Sequence, residues 1–288
     1  MKAYLDIVEK ILKEGVLKKN RTGVDTLAIA GSMFEHDMGN GFPLLTTKKM
    51  PLKLVASELE FFIKGITDKK WLMDRDNHIW DEWASQDIVN YDHDAETKRK
   101  MMEVRDLGPI YGWQWRNFGA KYVSHDKKPE GQGVDQLANL IKKLKENPYD
   151  RRMIVTSWNP LDINRMALPP CHYTFQVTVI GGRLNLMWSQ RSVDVALGLP
   201  FNIASYGLLL HLIAKETGFE EGKLVGFLGD THVYVTHIEG LKEQLKRQPN
   251  NLPSIKTENF ASIFDWKFTD TKIENYDCHP SIKFEIAV

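Results

Sequence analysis

Residues 173–192, YTFQVTVIGGRLNLMWSQRS, contain two runs of strand-forming residues that meet at Gly181 and Gly182. A Gly-Gly pair between such runs signals a hairpin, because both turn positions of a tight two-residue loop favour positive φ. Past LGLPFN (197–202) lies IASYGLLLHLIAKETGF (203–219), the longest apolar run of the chain, whose length and ending at Gly218 predict a buried central helix. Three more strand-like pieces follow: KLVGFLGDTHVYV (223–235), FDWKFTD (264–270) and SIKFEIAV (281–288). Upstream, Tyr4, Ile7, Val8, Ile11 and Leu12 recur at helical spacing up to Gly15, and RTGVDTLAIAGSMFEHDM (21–38) turns into β-type alternation. LKLVASELEFFIKG (52–65) is helical again, with Val55, Glu58, Leu59 and Phe62 on one stripe, so a carboxylate is placed on a buried face. A further helix is stopped by Asn147 and Pro148, and a strand follows Arg151 and Arg152. This order of elements predicts an α+β fold with a mixed or mainly antiparallel sheet.

The 288 residues are 42% hydrophobic and 26% charged, an ordinary globular profile that predicts one domain, residues 1–288. Thirty-eight basic residues balance thirty-eight acidic ones, so no global charge points to nucleic acid or a membrane surface, and any bound anion needs a local cluster. Two cysteines without metal-type spacing argue against a disulfide framework and against a metal site, and fit a reducing cytoplasm. No run of about 18 apolar residues is present, and the first residues lack a signal-peptide core. The segment 84–106, ASQDIVNYDHDAETKRKMMEVRD, is the most polar in the chain and reads as a surface insertion carrying little chemistry.

Cys171 follows two prolines and precedes His172. Taken alone it reads first as a small core residue, as free cysteines usually are. As a nucleophile it needs nearby positive charge, and Arg191 is the first candidate. Arg21, Arg151, Arg152, Arg191 and Ser192 all lie at turns or strand ends, where guanidinium forks can converge on a phosphate. His232 and Tyr234 share one strand face, and Asn202 carries an amide able to donate and accept at a base edge, although an Asn after a loop is ordinarily a helix cap.

In order and spacing, RTG, FPLLTTKK, IWDEW, LGPIYG, DRR, MALPPCH, QRSVDVALGLPFNIASY, GDTHVY and the terminal AV resemble the thymidylate synthase family over nearly the whole chain. The resemblance implies a mixed sheet packed with helices, its other face forming a homodimer interface, and 5,10-methylenetetrahydrofolate as co-substrate with dUMP. It implies that Cys171 adds to C6 of the pyrimidine. Arg21, Arg191 and Ser192 would hold the phosphate, with Arg151 and Arg152 supplied by the partner subunit. Asn202 would contact uracil O4 and N3, and His232 and Tyr234 the deoxyribose hydroxyl. Asp194 would meet the reduced folate, enclosed by Trp80, Leu168, Gly198, Phe201 and Val288, with Lys48 near its glutamate tail. Glu58 would relay protons at O4, and Tyr111 would assist proton removal from C5.

Three positions depart from the usual synthase pattern: ELEFF for ELLWF, YGWQW for YGKQW and SQRS for YQRS, that is Glu60, Trp113 and Ser189. Phage deoxycytidylate hydroxymethylases, a sister group, resemble the chain at the first two and also lack the tyrosine. Ser189 shares a strand face with Arg191, so loss of a tyrosine there predicts room for water at the C5 methylene intermediate. Glu60 is expected on the surface, paired with Lys64. Cytosine-specific relatives carry an acid where this chain has Asn202, which argues for dUMP. The expectation is therefore a dUMP hydroxymethyltransferase, with thymidylate synthase as the alternative and a noncatalytic nucleotide- or RNA-binding protein on the same scaffold as a third reading.

Overall fold

A computed structural model describes residues 1–20, 23–90 and 94–285. Eight helices and eight strands are assigned among them, starting with α1 (Lys2–Glu14), β1 (Val16–Lys18), β2 (Thr26–Asp37), α2 (Leu52–Ile63), α3 (Lys70–Met73), α4 (Ala95–Glu103) and α5 (Tyr111–Asn117). Then follow α6 (Gln136–Glu146), β3 (Ile154–Thr156), β4 (His172–Ile180), β5 (Arg183–Asp194), α7 (Gly198–Thr217), β6 (Glu220–Tyr234), α8 (Ile238–Leu245), β7 (Ser254–Thr257) and β8 (Thr271–Glu274).

The hairpin forms where the sequence places it, with Ile180 opposite Arg183 and both glycines at positive φ, 60° and 80°. Six strands make one sheet in the order β1-β2-β6-β5-β4-β3. Among the described strands only β5 and β6 pair in parallel, because α7 carries the chain back across the sheet between them; the sheet is mixed and the fold α+β. The helices pack on one face, where Trp188 and Phe34 of the strands meet Ile203, Leu208 and Leu212 of α7 in the core. Across the other face runs a row in register, Met33–Phe227–Ser189–Thr174, and Met33 and Phe227 are 58% and 50% exposed.

Two close approaches bring helices to the site. A Cβ at Gly112 would stand 2.4 Å from Phe62 O, so its absence lets α5 lie directly on α2. Tyr111 then stacks on Phe62 with ring centres 4.8 Å apart. At Gly226 a Cβ would strike the Trp188 ring, at 2.4 Å.

The structure corrects several expectations. The central helix begins at Gly198, not after Asn202: Pro200 is tolerated in its first turn, where an amide has no intrahelical partner, and Asn202 lies inside the helix instead of capping it. FDWKFTD is not a strand but turns and a 3₁₀ turn (Phe268–Asp270), and the described part of SIKFEIAV, residues 281–285, forms no strand. The polar insertion holds α4, capped by Asp94 accepting from Thr97 N at 2.7 Å, over a small apolar cluster of Ala84, Val89 and Met101. No described helix is long and apolar enough to cross a membrane.

Candidate active site

A cleft of about 540 Å³ opens over Cys171, lined among others by Leu168, Arg191, Ser192, His232 and Tyr234. Strand ends assemble it. Cys171 directly precedes β4, whose ladder with β5 slips by one residue between His172 and Thr174, a bulge at the site's edge. The rigid Pro169–Pro170 pair is gripped from behind by Arg191, whose Nε donates to Pro170 O at 2.9 Å and whose second terminal nitrogen donates to Pro169 O at 2.8 Å. Arg191 N donates to Cys171 O at 2.8 Å, and Cys171 N donates to the Tyr111 hydroxyl at 2.8 Å. The half-buried thiol is thus carried by a backbone fixed on both sides, with the Arg191 guanidinium bonded to the two carbonyls just before it.

α2 and α5 supply aromatic and acidic side chains that connect to Cys171 through Tyr111. Glu58 accepts from Trp80 Nε1 at 2.8 Å, and burial raises its carboxyl from 4.5 to about 7, against that hydrogen bond. A carboxyl poised near neutrality suits proton relay. Tyr111 is kept a neutral phenol, its pKa raised by burial and then by the charge of Cys171. His172 bonds the Tyr206 hydroxyl at 2.9 Å, and burial pushes it down to about 3, so it is a neutral ring and not a partner cation for the thiol.

Asn202 is held by a chain that the sequence reading missed. The Trp188 indole can only donate, and does so to Gln190 Oε1 at 3.2 Å; Gln190 Nε2 then donates to Asn202 Oδ1 at 3.0 Å. Among the described residues Asn202 Nδ2 and one lone pair of Oδ1 are left for a ligand. The alternation of Trp188 and Gln190 on one strand face was the available signal. Asp194 ends β5 with Oδ1 accepting from Ala196 N at 3.0 Å and Leu197 N at 3.3 Å. Gly198 and Phe201 lie in the first turns of α7 just beyond. Across the cleft His232 Nδ1 stands 3.2 Å from Asp230 Oδ1, and Asp230 pairs with Lys18; Lys18, Lys19, Trp83 and Gln86 line the cleft without having been anticipated.

Other expected residues stand elsewhere. Arg151 and Arg152 line a separate hollow with Tyr149, Arg152 bonding Asp150 at 3.0 and 3.1 Å, so one chain does not bring them to Cys171. Lys48 is turned inward, donating to Ala196 O at 2.6 Å with Phe284 4.8 Å away, instead of presenting a free cation. Arg21 and Val288 lie outside the described residues. The three departures do not converge. Glu60 is buried, not on the surface: it pairs with Lys64 and accepts from Phe268 N at 2.7 Å. Trp113 packs edge-on against Tyr122 at 4.7 Å, and Ser189 belongs to the uncovered sheet face; none of the three lines the cleft.

No group of three or more His, Cys, Asp or Glu among the described residues is placed to hold a metal. The model of the family described as thymidylate synthase matches residues 2–288. The chain is 45% identical over 286 residues to the thymidylate synthase of varicella-zoster virus (strain Dumas), covering 99% of this chain and 93% of the viral one. It is 44% identical over 288 residues to the bifunctional dihydrofolate reductase-thymidylate synthase of Paramecium tetraurelia, and spans 61% of that longer protein. A match of this extent, over a mixed sheet that sets Cys171 at its strand ends, places the chain in the thymidylate synthase family, whose members act on dUMP with methylenetetrahydrofolate as co-substrate.

Proposed function

We propose that the chain is a thymidylate synthase, converting dUMP and 5,10-methylenetetrahydrofolate to dTMP and dihydrofolate. The observation that carries this reading is Cys171 in the cleft, its backbone fixed by Tyr111 and Arg191, with Tyr111 linking it to a carboxyl held near neutrality. In this reading Cys171 Sγ bonds to C6, Arg191 and Ser192 hold the phosphate with Arg21, and His232 and Tyr234 meet the sugar hydroxyl. Asn202 Nδ2 donates to O4 while Oδ1 accepts from N3. Glu58 delivers a proton toward O4 as C5 becomes nucleophilic; Tyr111, a neutral phenol, does not itself take the C5 proton but assists its removal, its oxygen accepting a hydrogen bond from the water that carries the proton away. The folate supplies the one-carbon unit and then hydride. Leu168, Phe201 and Trp80 offer it apolar wall, and the Asp194 oxygen not taken by main-chain amides suits a pterin N–H, so the residues present fit it.

The hydroxymethyl product expected from Glu60, Trp113 and Ser189 is withdrawn. Each has a structural place of its own, Glu60 with Lys64 and Phe268 N, Trp113 against Tyr122 and Ser189 in the sheet row with Phe227 and Thr174, and the relatives are named synthases. Incubation with dUMP and methylenetetrahydrofolate, read by mass spectrometry, is expected to give dTMP with an equal amount of dihydrofolate. A 5-hydroxymethyl product with tetrahydrofolate overturns the reading.

Base choice follows from Asn202. Asn202→Asp keeps the acceptor for Gln190 but loses the donor to O4, and a carboxylate accepts from the cytosine amino group. The ratio of kcat/KM for dUMP over dCMP is expected to fall by about 10- to 100-fold, the effect of one unpaired buried group. An unchanged ratio removes Asn202 from base reading.

Pairing of two copies through the uncovered face is supported by the exposed Met33 and Phe227 side by side on it, and by the placement of Arg151 and Arg152 in a hollow apart from the cleft of their own chain. Mixing Arg152→Ala chains with Cys171→Ala chains is expected to restore about a quarter of the wild-type sites once subunits exchange. No recovery after verified exchange argues that each chain completes its own site.

A further inference from the structure

One buried cation has no part in the chemistry above. Lys69, immediately before α3, is 0% exposed, and its ammonium donates to Asp81 O at 2.6 Å, Trp83 O at 2.9 Å and Met101 O at 2.6 Å. All three N–H bonds are used. Burying an ammonium is costly unless its partners are well placed. The nearby counter-charge is Asp81, itself bonded by His78 at 2.9 Å, and burial brings the ammonium down to about 8 against that attraction.

What Lys69 holds is the wall of the cleft. Two of its carbonyls, from Asp81 and Trp83, belong to the turn that carries Trp80 onto Glu58 and Trp83 into the cleft. The third belongs to Met101, which packs with Ala84 and Val89 in the small core of the polar insertion that begins directly after Trp83. Lys69 N also donates to Arg105 O at 3.0 Å, fixing its main chain to the far end of that insertion. We propose that Lys69 is a positioning residue: by drawing the carbonyls of Asp81, Trp83 and Met101 onto one point it sets where Trp80 and Trp83 stand, and through Trp80 how far Glu58 is kept from water. The insertion is then a brace for the site and not a passive surface loop. An uncharged side chain of equal length fills the same space but leaves three carbonyls unpaired, and water must enter to satisfy them.

This inference rests on the synthase reading, and the test separates the two. Lys69→Met removes all donors, whereas Lys69→Gln keeps two N–H bonds. In Lys69→Met the pH–rate limb due to Glu58 is expected to move down by about one pH unit as its carboxyl becomes hydrated. KM for methylenetetrahydrofolate is expected to rise about tenfold as the wall loosens, with dUMP affinity within about twofold of wild type. Lys69→Gln is expected to fall between the two. Amide hydrogen exchange should quicken at residues 80–106 and stay slow in β4. A limb and a folate KM equal to wild type, whatever the melting temperature, overturn the inference, as does failure of both variants to fold, which makes Lys69 a plain core residue. Absence of turnover in the wild-type protein overturns the synthase reading itself, and this inference with it.

Discussion

Replacing Cys171 by alanine is expected to lower turnover by about 10⁴- to 10⁶-fold, the range seen when a covalent nucleophile is lost. The fold should survive, because the bonds that shape this corner use its backbone: Cys171 N on the Tyr111 hydroxyl, Cys171 O under Arg191 N, and the Pro169 and Pro170 carbonyls under the guanidinium. A half-buried thiol replaced by a methyl group costs about 1 kcal/mol or less. Affinity for dUMP should stay within about tenfold, since phosphate, sugar and base meet other side chains. Cys278 offers no substitute, because its neighbour is Tyr276, whose hydroxyl accepts from Met50 N at 2.8 Å, away from the cleft. The decisive measurement is release of tritium from C5-labelled dUMP in a single turnover, alongside calorimetric binding. Release at a near-normal rate in a folded Cys171→Ala protein ends the covalent mechanism.

Where periodicity was strong, the fold was legible. The stripes of α1, α2 and α6, the Gly181–Gly182 turn and the apolar α7 all stand as the sequence places them. Sheet order was not legible, because the parallel pairing of β5 with β6 depends on how α7 crosses the sheet, and residue spacing does not encode that. FDWKFTD misled for a physical reason. Its alternating Phe264, Trp266 and Phe268 mimic a strand, yet Trp266 Nε1 donates to Thr271 Oγ1 at 3.0 Å and Phe268 N serves the buried Glu60 carboxylate. Local pattern gave way to the needs of a charge on α2, distant in sequence.

The same division runs through the site. Cys171, Arg191, Ser192, His232 and Tyr234 were legible as functional types at strand ends, and the sheet delivers them to one cleft. Gln190 stands in the QRS motif and shares a strand face with Trp188, but its amide bond to Asn202 shows only once α7 is folded back on β5, and Lys69 was not legible, because its work is done on main-chain carbonyls, which leave no mark in a motif. Glu60, Trp113 and Ser189 show the opposite case. Three unusual identities in a row of motifs suggested one altered reaction, but they lie in an ion-paired helix face, a small aromatic cluster and an uncovered sheet row. Coincidence along the sequence was not proximity in space.

Glu58→Gln is expected to lower kcat by about 10²- to 10⁴-fold, the range for a lost general acid–base, and to make the protein more stable above neutrality. The amide introduced by Glu58→Gln keeps an oxygen for Trp80 Nε1 and has nothing to ionise. In the wild type the folded carboxyl titrates at about 7, above its ordinary 4.5, because burial opposes its charge. The folded chain therefore holds a proton that the unfolded chain releases, and the stability due to that proton is fully present below about 4.5 and lost as pH rises through about 7. The difference corresponds to at most about 3 kcal/mol, reduced because Glu58 is only half-buried and water screens its charge. Removing this cost should raise the melting temperature of the ligand-free variant over wild type by roughly 5 °C at about pH 8.5, and the gap should close near about pH 5. The wild-type pH–rate limb near 7 should vanish in the variant. Melting curves that differ by a constant amount across this range, or a wild type more stable than Glu58→Gln at alkaline pH, mean that the buried carboxyl is not the strained acid on which the proton relay depends.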